Sequence, residues 1–201
     1  LNGSYGRMRL RMWGEHNLRN ALASIAASAF VGVDPASISA GLEKFVGVRR
    51  RQELLGTVGD VTLIDDFAHH PTAVEQTLAG LRTAYPEGRL WAVFEPASST
   101  NSRDTFEADY VSAFTHADAV VVGAVPRPER SRGDTPFSAE RLILQIRAHG
   151  IEAWNFTDTQ KIIDHLLANT RAGDLVVFMS NGGFGGVQAK TLAALKDQVR
   201  G

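Results

Sequence analysis

The segment from Asp65 to Pro71, with the sequence D-D-F-A-H-H-P, concentrates carboxylates and imidazoles in a short stretch of chain. Such groups can bind a metal ion or transfer protons. A purely structural interpretation is also open: one aspartate caps the helix that follows, Pro71 occupies its first turn and the histidines are solvated. A zinc site is disfavoured, because adjacent histidines point in different directions and no third ligand is obvious.

The segment from Ser180 to Gly186, S-N-G-G-F-G-G, is a second candidate site. Glycines let the backbone approach a ligand closely, and the amides at the start of a helix attract anions. The segment has neither the spacing nor the early position of a G-x-G-x-x-G dinucleotide-binding loop. It is not a Walker loop either, because Ala189 rather than glycine precedes Lys190 and Thr191. It is therefore either an anion site or a flexible turn.

Two asparagines, Asn17 and Asn20, lie one turn apart at the start of a predicted helix and share one face of it. Asn17 can serve as the N-cap of that helix, whereas Asn20 lies within the first turn and is less easily explained by capping. Further along, Arg51 and Glu53 lie two residues apart on a predicted strand. They can pair with each other in solvent, which would contribute little stability.

The first part of the chain reads as a strand followed by two helices. Basic and apolar residues alternate from Tyr5 to Trp13, which predicts a half-buried strand. Ala and Leu at helical spacing predict a helix over Asn17 to Phe30. Asp34 and Pro35 predict the start of a second helix, which runs to about Phe45. These elements cannot form a complete domain, so we interpret them as the tail of one.

From Gln52 onward, strands and helices alternate. Gln52 to Val58 and Val61 to Asp65 predict a hairpin around Gly59 and Asp60. Further strands are predicted at Leu90 to Phe94, Ala119 to Val122, Glu152 to Phe156 and Leu175 to Met179. Helices are predicted at Pro71 to Ala84, Arg103 to Phe114, Phe137 to Ala148, Asp158 to Ala168 and Val187 to Val199. This alternation predicts an α/β fold: a mostly parallel sheet covered by helices, with one antiparallel strand from the hairpin.

In such a sheet, ligands bind beyond the carboxyl ends of the strands. That rule selects four segments: Asp65 to Pro71, Glu95 to Asn101, Gly123 to Arg132, and Ser180 to Gly186. The stretch from Arg127 to Asp134 is expected to be an exposed loop. Both candidate sites described above are among the four segments, so we expect them to lie at the same edge of the sheet.

Composition excludes several classes of protein. The 201 residues are 44% hydrophobic and 21% charged with a net charge of -1, so no nucleic-acid or membrane partner is expected. The absence of cysteine excludes disulfides, thiolate zinc sites and a cysteine nucleophile. No apolar run approaches the roughly 20 residues that span a bilayer. The chain has neither an initiator Met nor a signal peptide, and we expect it to be a fragment of a larger cytoplasmic protein.

Taken together, three motifs resemble the Mur ligase family, in the family's order and spacing. The family's H-N-x-x-N, R-x-E and D-[YF]-x-H-x-P motifs are matched by His16, Asn17 and Asn20, by Arg51-Gln52-Glu53, and by Asp66, Phe67, His69 and Pro71. The doubled D-D-F-A-H-H-P, the F-E-P-x-S-x-T from Phe94 to Thr100 and the S-N-G-G-F-G-G resemble the murein peptide ligases of this family. One position departs from that pattern, because Ala97 stands where those ligases carry Arg.

The resemblance implies a domain division and a reaction. Residues 1–50 would be the tail of the central ATP-binding domain, and residues 51–201 the Rossmann-like C-terminal domain with helices on both faces. The full-length protein would use ATP and Mg²⁺ to join murein tripeptide to UDP-N-acetylmuramate in the bacterial cytoplasm, as a step of peptidoglycan recycling. The phosphate-binding loop and most magnesium ligands would lie upstream, so this chain alone is expected to be inactive.

The resemblance also implies roles for single residues. Asn17 and Asn20, with His16 beside them, would face the adenine of ATP. Arg51, with Arg50 as the second candidate, would reach the phosphates. Asp66 would contact the ribose, with His69 supporting its loop. Ser180, Asn181 and Phe184 are assigned to the incoming peptide.

Two other interpretations remain open. The sister enzyme of the family joins L-alanine to UDP-N-acetylmuramate by the same chemistry, so only the amine acceptor differs. A non-catalytic nucleotide-binding or interaction domain is the alternative from another class. It predicts that Asp66, Asn20 and Arg51 do not converge on one cleft.

Overall fold

The computed structural model describes residues 5–96, 107–125 and 137–200. Two helices come first and are followed by a sheet whose strands alternate with helices. The helices are α1 (Glu15–Phe30), α2 (Pro35–Lys44), α3 (Pro71–Ala84), α4 (Glu107–Ala113), α5 (Ala139–Ala148), α6 (Thr159–Asn169) and α7 (Val187–Arg200). The strands are β1 (Glu53–Val58), β2 (Val61–Asp66), β3 (Leu90–Phe94), β4 (Ala119–Val122), β5 (Glu152–Asn155) and β6 (Leu175–Met179).

The strands form one six-stranded sheet in the order β1-β2-β6-β3-β4-β5. Only β1 is antiparallel to its neighbour, and all other pairs are parallel. The β1–β2 turn is made by Gly59 and Asp60, both with positive φ, as a tight hairpin requires. The predicted α/β fold with a mostly parallel sheet and one antiparallel hairpin strand is therefore confirmed.

Alternate residues of the strands supply the two hydrophobic faces of the sheet. On one face, Ile64, Phe94 and Val122 pack in a cluster with buried residues of α3, α4 and α5. On the other, Leu63 and Trp91 pack with buried residues of α6 and α7. Because the parallel strands are buried on both faces, they read as continuous apolar runs in the sequence.

The strand predicted from Tyr5 to Trp13 is wrong. These residues carry no sheet pairing in the structure. A residue period of two marks an extended segment with one buried side, but a strand also needs a neighbouring strand to pair its backbone. The capping role of Asn17 is also wrong, because Gly14 holds the N-cap position of α1 with φ 92°. Asp34, by contrast, caps α2 through a bond from the Ser37 amide, as predicted.

Several predicted features lie wholly or partly outside the described residues. They are Ala97, the second half of the Phe94 to Thr100 motif, the start of the helix predicted at Arg103, and the loop predicted from Arg127 to Asp134. Among the helices that the structure describes, none has both the length and the apolar character needed to cross a membrane.

The crossing of α1 and α3 depends on two glycines. A Cβ atom at Gly80 would lie 2.8 Å from the Cα atom of Gly14 and 3.0 Å from its backbone nitrogen. The helices can approach this closely because Gly80 lacks a side chain, while Gly14 is required by its positive φ and by the adjacent His16 ring. Next to this contact, the ring of Trp13 packs edge-on against Tyr85 at 5.3 Å. The crossing thus fixes the N-terminal helix relative to the sheet.

Replacing Gly80 with Ala should lower the free energy of unfolding by about 1–3 kcal/mol, the usual cost of overpacking, because the Gly14 backbone must move. The control is Gly41→Ala in α2, where a Cβ meets no atom within 4 Å. That change should raise stability by about 0.5–1 kcal/mol, since alanine is the better helix former. Chemical denaturation of both variants tests this, and an unchanged Gly80→Ala variant would contradict the close crossing.

Candidate functional site

The loops that follow the parallel strands meet at one edge of the sheet. The Ser180 amide donates to the Asp66 carbonyl at 3.1 Å, so the loop after β6 touches the end of β2. The Glu95 amide donates to the Met179 carbonyl at 3.0 Å, which places the loop after β3 beside the loop after β6. Both candidate segments of the sequence therefore lie together at the carboxyl edge, as the rule for parallel sheets predicts.

A cavity of about 770 Å³ lies beside this edge, between α1, α2, the start of α3 and the segment before β1. Its size is within the range of small-molecule sites. Predicted residues from all three motifs line it: His16, Asn17, Asn20, Arg51 and Asp66. Residues up to fifty positions apart in the sequence thus converge on one cleft, which the non-catalytic interpretation did not predict. His69 is not among the lining residues.

Asp66 ends β2 with its side chain 3% exposed. One carboxylate oxygen accepts the Ala68 amide at 2.7 Å, and the other accepts the Gln52 amide at 2.9 Å. Burial raises the pKa of this carboxyl, while the two amide bonds act in the opposite direction. The suggestion that an aspartate caps α3 is wrong, because the N-cap residue is His70 and no side chain caps it.

Asn17 and Gln52 join α1 to the segment before β1. The Asn17 side-chain amide donates to the Trp13 carbonyl at 2.7 Å and to Gln52 Oε1 at 3.1 Å. Gln52 Oε1 also accepts the Trp13 amide at 3.1 Å. Asn20, one turn further along α1, is exposed and makes no side-chain hydrogen bond within the described residues. Sequence reasoning missed Gln52, which lies at the variable middle position of R-x-E and therefore carried no signal.

The two arginines before β1 have different environments. The Arg51 guanidinium lines the cavity and lies 5.4 Å from the Phe67 ring centre, and it makes no hydrogen bond or ion pair with the described residues. The Arg50 guanidinium pairs with Asp65, donates to the loop after β6 and lies 5.2 Å from the Phe67 ring centre. Glu53 accepts the Arg50 amide rather than pairing with Arg51, so the pairing suggested from the sequence is wrong.

His69 lies in the loop after β2. Its Nδ1 lies 2.9 Å from the Phe67 carbonyl, and its ring packs edge-on against the Phe67 ring at 5.4 Å. The Tyr110 hydroxyl donates to the His69 carbonyl from α4. These contacts shape the loop that carries Asp66, away from the cavity itself.

The residues assigned to the incoming peptide lie at the same edge but do not line the cavity. The Ser180 side chain is fully buried and hydrogen-bonds the Glu95 carboxylate, while the Gly182 amide donates to its hydroxyl at 2.8 Å. Phe184 is 3% exposed and packs in the hydrophobic cluster of the α6–α7 face. Asn181 is half-buried. Phe184 is a packing residue here, so contact with a peptide would require its ring to leave the core.

His16 is a partly buried titratable residue that lines the cavity. Burial lowers the pKa of its imidazole from the ordinary value of 6.5, and Arg51 lowers it further, whereas Asp66 raises it. Its Nδ1 is buried and has no hydrogen-bond partner in the described part of the chain. At neutral pH the ring is therefore neutral, and it presents an uncharged edge to the cavity.

A magnesium site is not formed by the described residues. Ranges 5–96, 107–125 and 137–200 contain no group of three or more histidine, aspartate or glutamate side chains arranged to hold a metal. The carboxylates at the sheet edge already accept bonds from backbone amides, Arg50 or Ser180. No set of side chains in the described ranges therefore fits a magnesium site.

The fold and the cavity define an α/β protein with a mostly parallel sheet covered on both faces and a cleft beside its carboxyl edge, lined by apolar side chains and a few polar ones. Residues 50–182 match the family described as Mur ligase, glutamate ligase domain, and the chain belongs to the Mur ligase family. Members of this family are ATP-dependent ligases that form amide bonds.

Relatives with both acceptor specificities are similar to the chain. A UDP-N-acetylmuramate–L-alanine ligase from Clostridium tetani is 37% identical over 87% of the chain and 38% of the relative. The UDP-N-acetylmuramate–L-alanyl-γ-D-glutamyl-meso-2,6-diaminoheptandioate ligase of Escherichia coli is 36% identical over 94% of the chain and 40% of the relative. The chain thus spans about two fifths of the length of these relatives.

Solved structures of Mur ligases are also similar to the chain over most of its length. A murein peptide ligase from Psychrobacter arcticus superimposes with a TM-score of 0.69 at 33% identity, over 94% of this chain and 39% of that one. The MurF ligase from Thermotoga maritima, solved in complex with ADP, has a TM-score of 0.62 over 93% of this chain and 39% of that one. Its 20% identity shows a shared fold only.

The lowered pKa of His16 predicts an acid-sensitive contribution to stability. The unfolded state binds a proton more readily, so this contribution is fully present above pH 6.5 and is lost as the pH falls through the folded-state pKa. Between about pH 7.5 and pH 5, the wild type should therefore lose more unfolding free energy than His16→Gln. Denaturation at both pH values measures the two losses, and equal losses would contradict the prediction.

Proposed function

We propose that the full-length protein is an ATP-dependent ligase that joins murein tripeptide to UDP-N-acetylmuramate, with residues 1–50 as the tail of its central domain and 51–201 as its C-terminal domain. One observation carries the proposal: residues of three separate motifs line a single cavity of about 770 Å³. Family membership and the neighbour solved with ADP support ATP as the nucleotide.

The cavity has the groups that a nucleotide needs. Asn20 is exposed on the same face of α1 as Asn17, and both would face the adenine, with His16 beside them. Arg51 has a free guanidinium for the phosphates. A carboxylate offers about four lone-pair positions, and Asp66 uses two of them for backbone amides. The others can accept hydrogen bonds from ribose hydroxyls.

The reaction would proceed by two displacements. A muramate carboxylate oxygen attacks the γ-phosphorus of ATP, the bond to the β-phosphate oxygen breaks, and ADP leaves. The free amine of the peptide then attacks the acyl carbon and loses a proton, and inorganic phosphate leaves as the amide forms. Magnesium, held by residues upstream of this chain, would offset the negative charge of the phosphates. The part of the described residues is to hold the nucleotide, since positioning dominates phosphoryl transfer.

Apolar side chains on α1 and α2 support a larger protein around this site. Leu18, Leu22 and Phe30 of α1 are 56%, 63% and 88% exposed, and Phe45 after α2 is 42% exposed. Several large exposed apolar groups on one part of a chain can mark an interaction surface. We propose that further parts of the ligase pack against these side chains.

The L-alanine ligase is the second candidate, because the Clostridium tetani relative with that specificity matches as well as the tripeptide ligase of Escherichia coli. The glycine-rich Ser180 to Gly186 loop and the sequence around Glu95 favour the tripeptide enzyme by their resemblance to murein peptide ligases. The two candidates share the nucleotide site and differ only in the amine.

The acceptor is decided by giving full-length protein UDP-N-acetylmuramate, ATP and magnesium with either L-alanine or L-alanyl-γ-D-glutamyl-meso-diaminopimelate. We expect a mass increase for the amide product with the tripeptide and none with L-alanine. Product with L-alanine alone would refute the tripeptide assignment and leave the ligase mechanism intact. The 201-residue chain serves as the control and should form no amide.

Replacing Arg51 with Met should weaken ATP binding by about ten- to a hundredfold, because a charge-assisted contact with the phosphates is lost. The matched control is Arg49→Met, an exposed arginine two residues away that does not line the cavity. Titration calorimetry of full-length protein with ATP measures both. Equal affinities in the two variants would remove Arg51 from the nucleotide site.

A further inference from the structure

Arg50 joins three segments that are far apart in the sequence. Its Nη2 donates to the Ser180 carbonyl at 2.6 Å and to the Gly182 carbonyl at 2.7 Å, across 130 and 132 residues. Its Nε lies 3.4 Å from an Asp65 carboxylate oxygen at the end of β2. One guanidinium thus holds the turn after β6 and the end of β2 to the segment before β1.

The backbone of Arg50 is fixed as firmly as its side chain. Its amide donates to a Glu53 carboxylate oxygen at 2.8 Å, and its carbonyl accepts the Phe67 amide at 2.7 Å. The residue adopts φ 57°, a left-handed conformation that non-glycine residues rarely occupy. Such a conformation persists only where surrounding contacts determine it. The guanidinium therefore projects from an anchored point.

The turn that Arg50 holds is also tied to the loop after β3. The Ser180 hydroxyl bonds the Glu95 carboxylate and accepts the Gly182 amide at 2.8 Å. Asp65, the partner of the Arg50 Nε, also accepts from the Gln188 side chain of α7 at 3.4 Å. Arg50 is therefore the contact through which the segment carrying Arg51 is connected to the turn at Ser180 to Gly182.

We propose that Arg50 is a positioning residue that fixes the Ser180 to Gly182 turn against the nucleotide side of the cleft, and so sets the place of the incoming amine. The proposal rests on the ligase function proposed above. Arg50 itself contacts neither ATP nor peptide. Arginine is required because its rigid fork places Nη2 at the two carbonyls and Nε at the carboxylate, two separate positions that the one nitrogen of a lysine ammonium cannot occupy together.

The test measures steady-state kinetics of full-length Arg50→Lys, with UDP-N-acetylmuramate saturating and with ATP and peptide varied in turn. We expect the KM for the peptide to rise about tenfold, as for a lost charge-assisted hydrogen bond. The KM for ATP should stay within about twofold, because Arg51 is unchanged. Arg50→Gln, which keeps a planar donor without the charge, should behave like the lysine variant and provides a second protein should one variant fold poorly.

The matched control is Arg82→Lys. Arg82 also holds two backbone carbonyls and one aspartate, namely Gly88, His116 and Asp118, but it lies at the opposite edge of the sheet. This variant should lose stability with both KM values unchanged. If Arg50→Lys does the same, the role of Arg50 is only structural and the proposal is overturned. If the KM for the peptide in Arg50→Lys equals that of the wild type, a positive charge alone is enough to hold the turn, and the proposal is also overturned.

Failure of the ligase function itself gives a different result. If the wild-type protein forms no amide with either acceptor, the proposed ligase function fails. The claim that the turn sets the position of the incoming amine then fails with it. If the wild type ligates and the Arg50 variants keep the wild-type ratio of peptide KM to ATP KM, only the positioning role fails. Hydrogen exchange at the Gly182 amide, which should quicken in Arg50→Lys but not in Arg82→Lys, reports on the turn independently of catalysis.

Discussion

The cleft depends on the hydrogen bonds that the buried Asp66 carboxylate accepts. A carboxylate that is 3% exposed is costly unless its oxygens accept hydrogen bonds. Asp66 satisfies both oxygens with the amides of Gln52 and Ala68, and thereby fixes the segment before β1 relative to the loop after β2. The Gln52 side-chain oxygen then accepts hydrogen bonds from the Trp13 backbone amide and the Asn17 side-chain amide, and these bonds hold α1 in place.

The segment before β1 carries two neighbouring arginines, Arg50 and Arg51, whose side chains have different roles. The Arg50 guanidinium is bound by contacts within the protein, whereas Arg51 lies over the Phe67 ring and makes no hydrogen bond or ion pair with the described residues. An arginine committed to backbone carbonyls contributes rigidity, and a neighbouring free arginine contributes charge. The Arg50 contacts fix the turn after β6 and the end of β2, and the Arg51 guanidinium is left without a hydrogen bond or ion pair among the described residues.

Burial at this site shifts the pKa values of Asp66 and His16 in opposite directions. Loss of hydration raises the pKa of the Asp66 carboxyl and lowers that of the His16 imidazole, and each group partly offsets the shift of the other. The result is a neutral imidazole beside a hydrogen-bonded carboxylate and a free guanidinium. The proposed nucleotide function uses these two environments, with the purine ring at the imidazole and the phosphates at the guanidinium.

The sequence alone determined the sheet type, the hairpin, most element bounds and the edge that carries the cleft. These features follow from local periodicity, turn residues and the rule for parallel strands. The tertiary structure alone decided that Arg50 is bound while Arg51 is free, that Phe184 is core, and that Tyr5 to Trp13 pair with no strand. Each of these outcomes depends on contacts between distant segments, such as Arg50 with Ser180, and local patterns carry no information about which partners meet.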